Sequence, residues 1–102
     1  MAAAVIEKTG TTLKVRPEDR LDSVETPELT REIQPYLADT DQIVMDFSNV
    51  DYVSSSGLRL LMWLGQEMED RGGEVQITNA NEDILKIFEL VGFMEIVHVI
   101  TE

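Results

Sequence analysis

Three consecutive hydroxyls, Ser54-Ser55-Ser56, stand directly before Gly57 and a run of apolar residues at helical spacing. Serine at the start of a helix suits two kinds of chemistry. It caps the helix by accepting a hydrogen bond from a first-turn N–H, which is worth about 1 kcal/mol. It also suits a phosphate. Unpaired N–H groups and the positive end of the helix dipole favour an anion there, and a phosphoserine adds about −1.5 to −2 charges. A third chemistry, nucleophilic hydrolysis, is poorly served. Val53-Ser54-Ser55-Ser56-Gly57 lacks the first glycine of a G-x-S-x-G elbow, and the base would have to be His98, the only histidine, inside an apolar stretch. No Gly-rich phosphate loop of the GxxxxGK[ST] or GxGxxG type occurs. The chain has no cysteine, which removes disulfides, thiolate zinc sites and cysteine nucleophiles. The residues therefore call for no catalytic group, no metal and no cofactor.

The remaining polar candidates are acids and amides. Asp46 has the chemistry of a general base, but its place before Ser48-Asn49 suits a brace for the loop. Asp22, next to Ser23, suits either a partner contact or the start of a helix. Glu82 and Asp83 complement the dipole of a later helix. Arg59, one turn beyond the serines, is placed to pair with a phosphate or a partner, or to stand as a solvated charge.

The elements that must position these residues follow from periodicity. Val5–Lys8 and Thr11–Val15 read as two strands joined by a Thr9-Gly10 turn, with Gly supplying positive φ. Residues 16–21 read as a polar connection. A first helix begins near Asp22, Ser23 or Thr26, with Leu29, Ile33, Tyr36 and Leu37 on one face and Pro35 kinking or shortening it. Gln42–Phe47 reads as a strand whose unbroken Ile43-Val44-Met45 suits cover on both faces, and residues 48–53 as a loop. In the second helix Leu58, Leu61, Met62, Gly65 and Met68 share a side. Leu60, Trp63 and Leu64 widen it into a band that predicts a well-buried helix. Arg71-Gly72-Gly73 stops it. Val75–Thr78 is the next strand. Asn79 or Asn81 caps a third helix through Ile84, Leu85, Ile87, Phe88, Leu90 and Val91, which Gly92 ends. Ile96–Ile100 is the last strand.

The order β-β-α-β-α-β-α-β predicts an α/β domain. Its mixed, mostly parallel sheet of about five strands would be covered by helices and joined by right-handed crossovers. Binding sites in such sheets gather beyond the carboxyl ends of the strands. Asp22-Ser23, residues 46–49, the serines and residues 79–81 belong to that edge. At 102 residues the chain suits one domain, residues 1–102.

Charge narrows the partners. Eight bases against 20 acids give a formal −12, with 11 acids in residues 1–51 and 9 in residues 52–102. An acidity spread this evenly repels nucleic acid and anionic membrane, and steers toward a basic protein face. Met1-Ala2-Ala3-Ala4 lacks the basic start and apolar run of a signal peptide, and no apolar run reaches the ~20 residues of a membrane span. The expectation is a cytoplasmic protein.

The stretch Asp46-Phe47-Ser48-Asn49-Val50-Asp51-Tyr52-Val53-Ser54-Ser55-Ser56-Gly57-Leu58-Arg59 resembles the signature of STAS domains, found in anti-sigma factor antagonists and in sulfate transporters. Leu21-Asp22 resembles the family's Leu-Asp pair, and Phe88-Glu89-Leu90-Val91-Gly92-Phe93 its third helix and following turn. The length favours the antagonist branch. The resemblance implies partner switching. An unphosphorylated antagonist binds an anti-sigma factor that is also a serine kinase and so frees the sigma factor. Phosphorylation breaks the complex, and a phosphatase resets it. Aligned on Gly57-Leu58, the acceptor falls at Ser55, with Ser54 and Ser56 as alternatives. Ser54 stands where many members have Asp, and Asp19 where members often have Gly. The resemblance implies an interface made of Asp22, Ser23, Asp46, Ser48, Asn49, Ser54, Ser56, Gly57 and Arg59. The alternative is a STAS scaffold that is never phosphorylated, or a ligand-sensing module.

Overall fold

The computed structural model describes residues 4–90 and 98–99. Its elements run β1 (Ala4–Thr9), β2 (Thr12–Pro17), β3 (Asp19–Leu21), α1 (Glu25–Ile33), a 3-10 helix (Gln34–Asp39), β4 (Gln42–Asp46), β5 (Val50–Val53), α2 (Ser55–Asp70), β6 (Glu74–Thr78), α3 (Glu82–Leu90) and β7 (His98–Val99). Five strands form one sheet in the order β1-β2-β4-β6-β7. The β1–β2 pair is antiparallel and the other three pairings are parallel. The expected mixed, mostly parallel α/β sheet is what forms.

The opening hairpin turns one residue later than the sequence suggests. Thr9 pairs with Thr12, so the turn residues are Gly10-Thr11, and Gly10 takes φ +60°. A β-branched threonine fits the last strand pair better than a turn position that demands positive φ, and glycine meets that demand.

Strand alternation builds the core. Leu13 and Val15, Ile43 and Met45, and Val75 and Ile77 all point to one face and are buried. Leu29 and Ile33 of α1, Leu61, Leu64 and Met68 of α2, and Ile84 and Phe88 of α3 join them in one cluster. Each such side chain contributes roughly 1.5–3 kcal/mol by leaving water. Val44 departs from the expectation of cover on both faces. It lies in register with Lys14 and Gln76, and all three are exposed or half-buried on the uncovered face.

Two stretches read as connections are strands. Residues 19–21 (β3) and Val50–Val53 (β5) pair in parallel as a separate two-stranded sheet. Val50 and Val53 turn into the core while Asp51 and Tyr52 face out. Strands of three and four residues are too short to display an alternation on their own.

The helix ends follow side-chain chemistry. Asp22 Oδ1 accepts from the N–H groups of Val24 and Glu25 at 2.9 and 2.8 Å, which starts α1. α1 ends at Ile33 and continues as the 3-10 turn holding Pro35, leaving Tyr36 exposed while Leu37 stays buried. At the end of α2 the N–H of Gly72 bonds to Glu69 O and that of Gly73 to Met68 O. Asn81, not Asn79, caps α3, its Oδ1 accepting from Ile84 N–H at 2.9 Å. Leu90 is on the surface rather than in the apolar face. The expected ends at Val91-Gly92, the Phe93 turn and the parts of the last strand beyond His98–Val99 lie outside the described residues.

Candidate functional site

The three serines take different roles because α2 begins between the first two. Ser54 is the N-cap, in extended backbone (φ −86°, ψ 177°). Its Oγ accepts weakly from Gly57 N–H at 3.4 Å and donates to the Leu21 carbonyl at 3.0 Å. Its backbone N–H donates to the same carbonyl at 2.8 Å. The one proton of the Ser54 hydroxyl is thus spent on β3. Ser55 is the first helical residue, and its exposed hydroxyl bonds to none of the described residues. Ser56 is half-buried. The N–H groups of Ser55 and Ser56 lie in the first turn, where a helix offers no acceptor.

Gly57 fixes how closely α2 approaches. A Cβ there would lie 2.8 Å from Leu21 O, 2.9 Å from Leu21 Cβ and 2.9 Å from Val53 Cγ1. Only a residue without a side chain lets the helix start rest against β3 and β5. The next residue after Leu21 is Asp22, whose carboxylate accepts from the N–H groups of Val24 and Glu25 at the start of α1, so the two helix starts are adjoining. The Asp22 carboxyl is held below its ordinary value, chiefly by the Glu25 N–H. Partial burial opposes this, and the Val24 N–H and the Arg20 charge support it.

A second polar cluster forms at the carboxyl ends of β4 and β6. Asp46 Oδ1 accepts from Ser48 N–H and from Asn79 Nδ2, each at 3.0 Å. Burial pushes the Asp46 carboxyl up. The hydrogen bonds from Asn79 and Ser48, helped by the Lys14 charge, outweigh that and leave it lowered. Asn79 reaches Asp46 from a left-handed backbone, φ 61°, which asparagine tolerates better than most residues. Asn49 Nδ2 donates to Glu18 Oε2 at 2.6 Å.

These residues fall in two polar clusters linked by the β3–β5 pair. Asp22 and Ser54–Gly57 meet at Leu21, with Ser23 exposed beside them. Ser48 and Asn49 precede β5 and Ser54 follows it, so Asn49 and Ser54 are about 16 Å apart along the strand, with Asp46 bonded to Ser48. Arg59 is exposed one turn into α2 and forms no ion pair among the described residues. A shallow cleft on the uncovered sheet face is lined by Val5, Glu7, Lys14, Arg16 and Asp46, and none of the serines reaches it.

Two residues assigned to the core of α2 are on its surface. Met62 and Trp63 are 39% and 40% exposed. The buried side is carried by Gly57, Leu60, Leu61, Leu64, Gly65 and Met68. At 100° per residue that side is centred opposite Ser55, which places Met62 on the line of Ser55 and Trp63 beside it. The angle was available in the sequence, but counting apolar residues concealed it. Among the described residues no helix is long and apolar enough to cross a membrane, and no group of acids or histidine is placed to hold a metal.

Comparison with known proteins agrees with this geometry. The family model for the STAS domain matches residues 3–102. The chain is 29% identical over 55 residues to BtrV of Bordetella bronchiseptica, a match covering 54% of this chain and only 47% of BtrV, so it spans about half of that relative. It is 29% identical over 87 residues to the anti-sigma-B factor antagonist of Staphylococcus aureus strain NCTC 8325, covering 84% of this chain and 81% of that protein. Among solved structures it resembles the Bacillus anti-sigma factor antagonist SpoIIAA. The unphosphorylated form has a TM-score of 0.80 at 19% identity, covering 98% of this chain and 89% of that one. The phosphorylated form has a TM-score of 0.77 at 22% identity, covering 98% and 93%. With a family match across nearly its whole length and that family's sheet and helix order, the chain belongs to the STAS domain family.

Proposed function

We propose that the protein is an anti-sigma factor antagonist of the partner-switching kind, a binding module and kinase substrate rather than an enzyme, working in the cytoplasm. Its unphosphorylated form binds an anti-sigma factor that is also a serine kinase, and Ser55 is the acceptor. The observation that carries the reading is the division of labour among the serines. Ser54 spends its hydroxyl on the Leu21 carbonyl, while the Ser55 hydroxyl is exposed at the first position of α2. The name of the Staphylococcus aureus relative, an anti-sigma-B factor antagonist, supports the same class.

In the transfer step the Ser55 Oγ attacks the γ-phosphorus of ATP held by the kinase. The Oγ–P bond forms, the bond to ADP breaks, and the hydroxyl proton leaves to a base on the kinase. The phosphate then has the first-turn N–H groups of α2 to accept from, which makes it locally stable. Docked against a partner, the same group brings two negative charges into a surface that must lose water, and the complex is destabilised. A phosphatase restores the hydroxyl.

The test is phosphate mapping by mass spectrometry on protein taken from its native cells, with Ser54, Ser55 and Ser56 resolved, alongside binding of purified Ser55→Asp to the anti-sigma factors of the source organism. Phosphate on Ser55 that varies with growth conditions, and weaker binding by Ser55→Asp, are the expected results. Phosphate on Ser54 or Ser56 would move the acceptor. No phosphate under any condition, with Ser55→Asp binding like wild type, would leave an unmodified scaffold.

A further inference from the structure

We infer that the partner's footprint continues from Ser55 down the exposed face of α2, and that Met62 and Trp63 are its apolar anchor. This rests on the reading above, in which an anti-sigma factor docks at the start of α2.

Three observations point there. First, Ser55, Arg59, Met62 and Gln66 form one line along α2, at steps of four, three and four residues, with Trp63 flanking it. All five are exposed. Met62 stands about 10 Å along the axis from Ser55, within a single protein contact surface. Second, Trp63 is the chain's only tryptophan, and it lies on the surface although the core of α2 has large buried side chains on its other side. Arginine, methionine and tryptophan are the types enriched where protein partners bury surface, and tryptophan and arginine dominate the energy of such contacts. Here the three are neighbours on one helix face. Third, the charges along the face have a direction. Arg59 lies near the serines, whereas Glu69 and Asp70 are exposed at the far end. The N-terminal half of the stripe offers a cation and the C-terminal half offers acids.

The surface therefore fits a partner with an apolar groove for Met62 and Trp63, an acid near Arg59, and bases facing Glu69 and Asp70. That polarity sets the docking direction. It also places the Ser55 phosphate beside the partner's acid, so modification repels at one end of a footprint anchored at the other. Arg59 then changes role with the state of Ser55, pairing with the partner's acid before phosphorylation and lying one turn from the phosphate after it.

The probes are the serine-kinase anti-sigma factors of the source organism, each purified and titrated against the full chain. The wild type, Trp63→Ala, Met62→Ala and a control, Leu90→Ala, are compared, since Leu90 is an exposed apolar residue on α3 rather than on α2. Circular dichroism confirms that each variant folds. The expected result is a loss of roughly 30-fold or more in affinity for Trp63→Ala, a smaller loss for Met62→Ala and no change for Leu90→Ala. In parallel, a fluorine label on the single tryptophan should shift its resonance when the partner is added. If the wild type binds and Trp63→Ala binds within twofold of it with no fluorine shift, the anchor is wrong while the proposed function stands. If the wild type binds none of these factors, the functional reading fails and the anchor falls with it.

Discussion

Adjacent residues in this site carry unequal structural weight. Ser54 caps α2 and bonds to β3, whereas the Ser55 hydroxyl bonds to none of the described residues. Ser54→Ala should therefore cost about 1 kcal/mol of stability, and Ser55→Ala should stay within about 0.5 kcal/mol of wild type, both by urea unfolding. Equal effects would contradict the assignment of the cap. The lowered carboxyls of Asp22 and Asp46 make a second residue-level prediction. Each binds its proton less readily folded than unfolded. Their stabilisation is complete above the unfolded value near 4 and fades as pH falls through the lower folded value. The urea midpoint of the wild type should drop below about pH 4. Asp46→Asn should be less stable than wild type at pH 7 and should lose less on acidification. A wild-type midpoint flat down to pH 2.5 would remove this contribution.

The start of α2 sits where it does because Gly57 lets it. In Gly57→Ala the new methyl must displace Leu21 or Val53, which are backbone and core rather than a flexible side-chain end. The expected cost is about 1–3 kcal/mol. Because the displaced helix carries Ser55, the proposed function predicts that phosphorylation of Ser55 slows by more than the fraction unfolded explains. A rate that merely tracks the folded fraction would show that placement is unimportant. The long elements were legible in sequence because their periodicity is strong. The strands holding Leu13, Val15, Ile43, Met45, Val75 and Ile77 declared themselves as β-prone apolar runs, though their alternation between two faces emerged only in the structure, and Pro35 and Gly72-Gly73 marked helix ends. β3 and β5 stayed hidden because their order comes from pairing with each other and from the core beneath Val50 and Val53. The serine run was visible as a helix start, but which serine capped it depended on the Leu21 carbonyl, 33 residues away in sequence. Met62 and Trp63 were misread for the opposite reason. Their apolar character suggested burial, and only their angle on the helix revealed a surface.

At the scale of the molecule, charge governs how partners arrive. A formal −12 on 102 residues creates a field that accelerates encounter with a basic surface. The association rate with the anti-sigma factor should fall about tenfold between 50 and 500 mM salt, measured by stopped flow, while dissociation changes less. An association rate independent of salt would mean that the acidity serves solubility alone. The sheet also divides the molecule. Among the described residues helices pack one face, and the other carries Lys14, Val44 and Gln76, exposed or half-buried, and the cleft at Asp46.

The idle hydroxyl of Ser55 has a bearing on heredity. A side chain that the fold does not use is invisible to selection for folding, so only selection for signalling can keep it. Under the proposed function, one base change would remove the acceptor and leave an intact binding module that no longer responds to a kinase. The reverse change can restore the response without compensation elsewhere. On that proposal regulation and scaffold are separable traits, and descendants that keep Ser54 and Gly57 would gain or lose the switch by a single substitution between them.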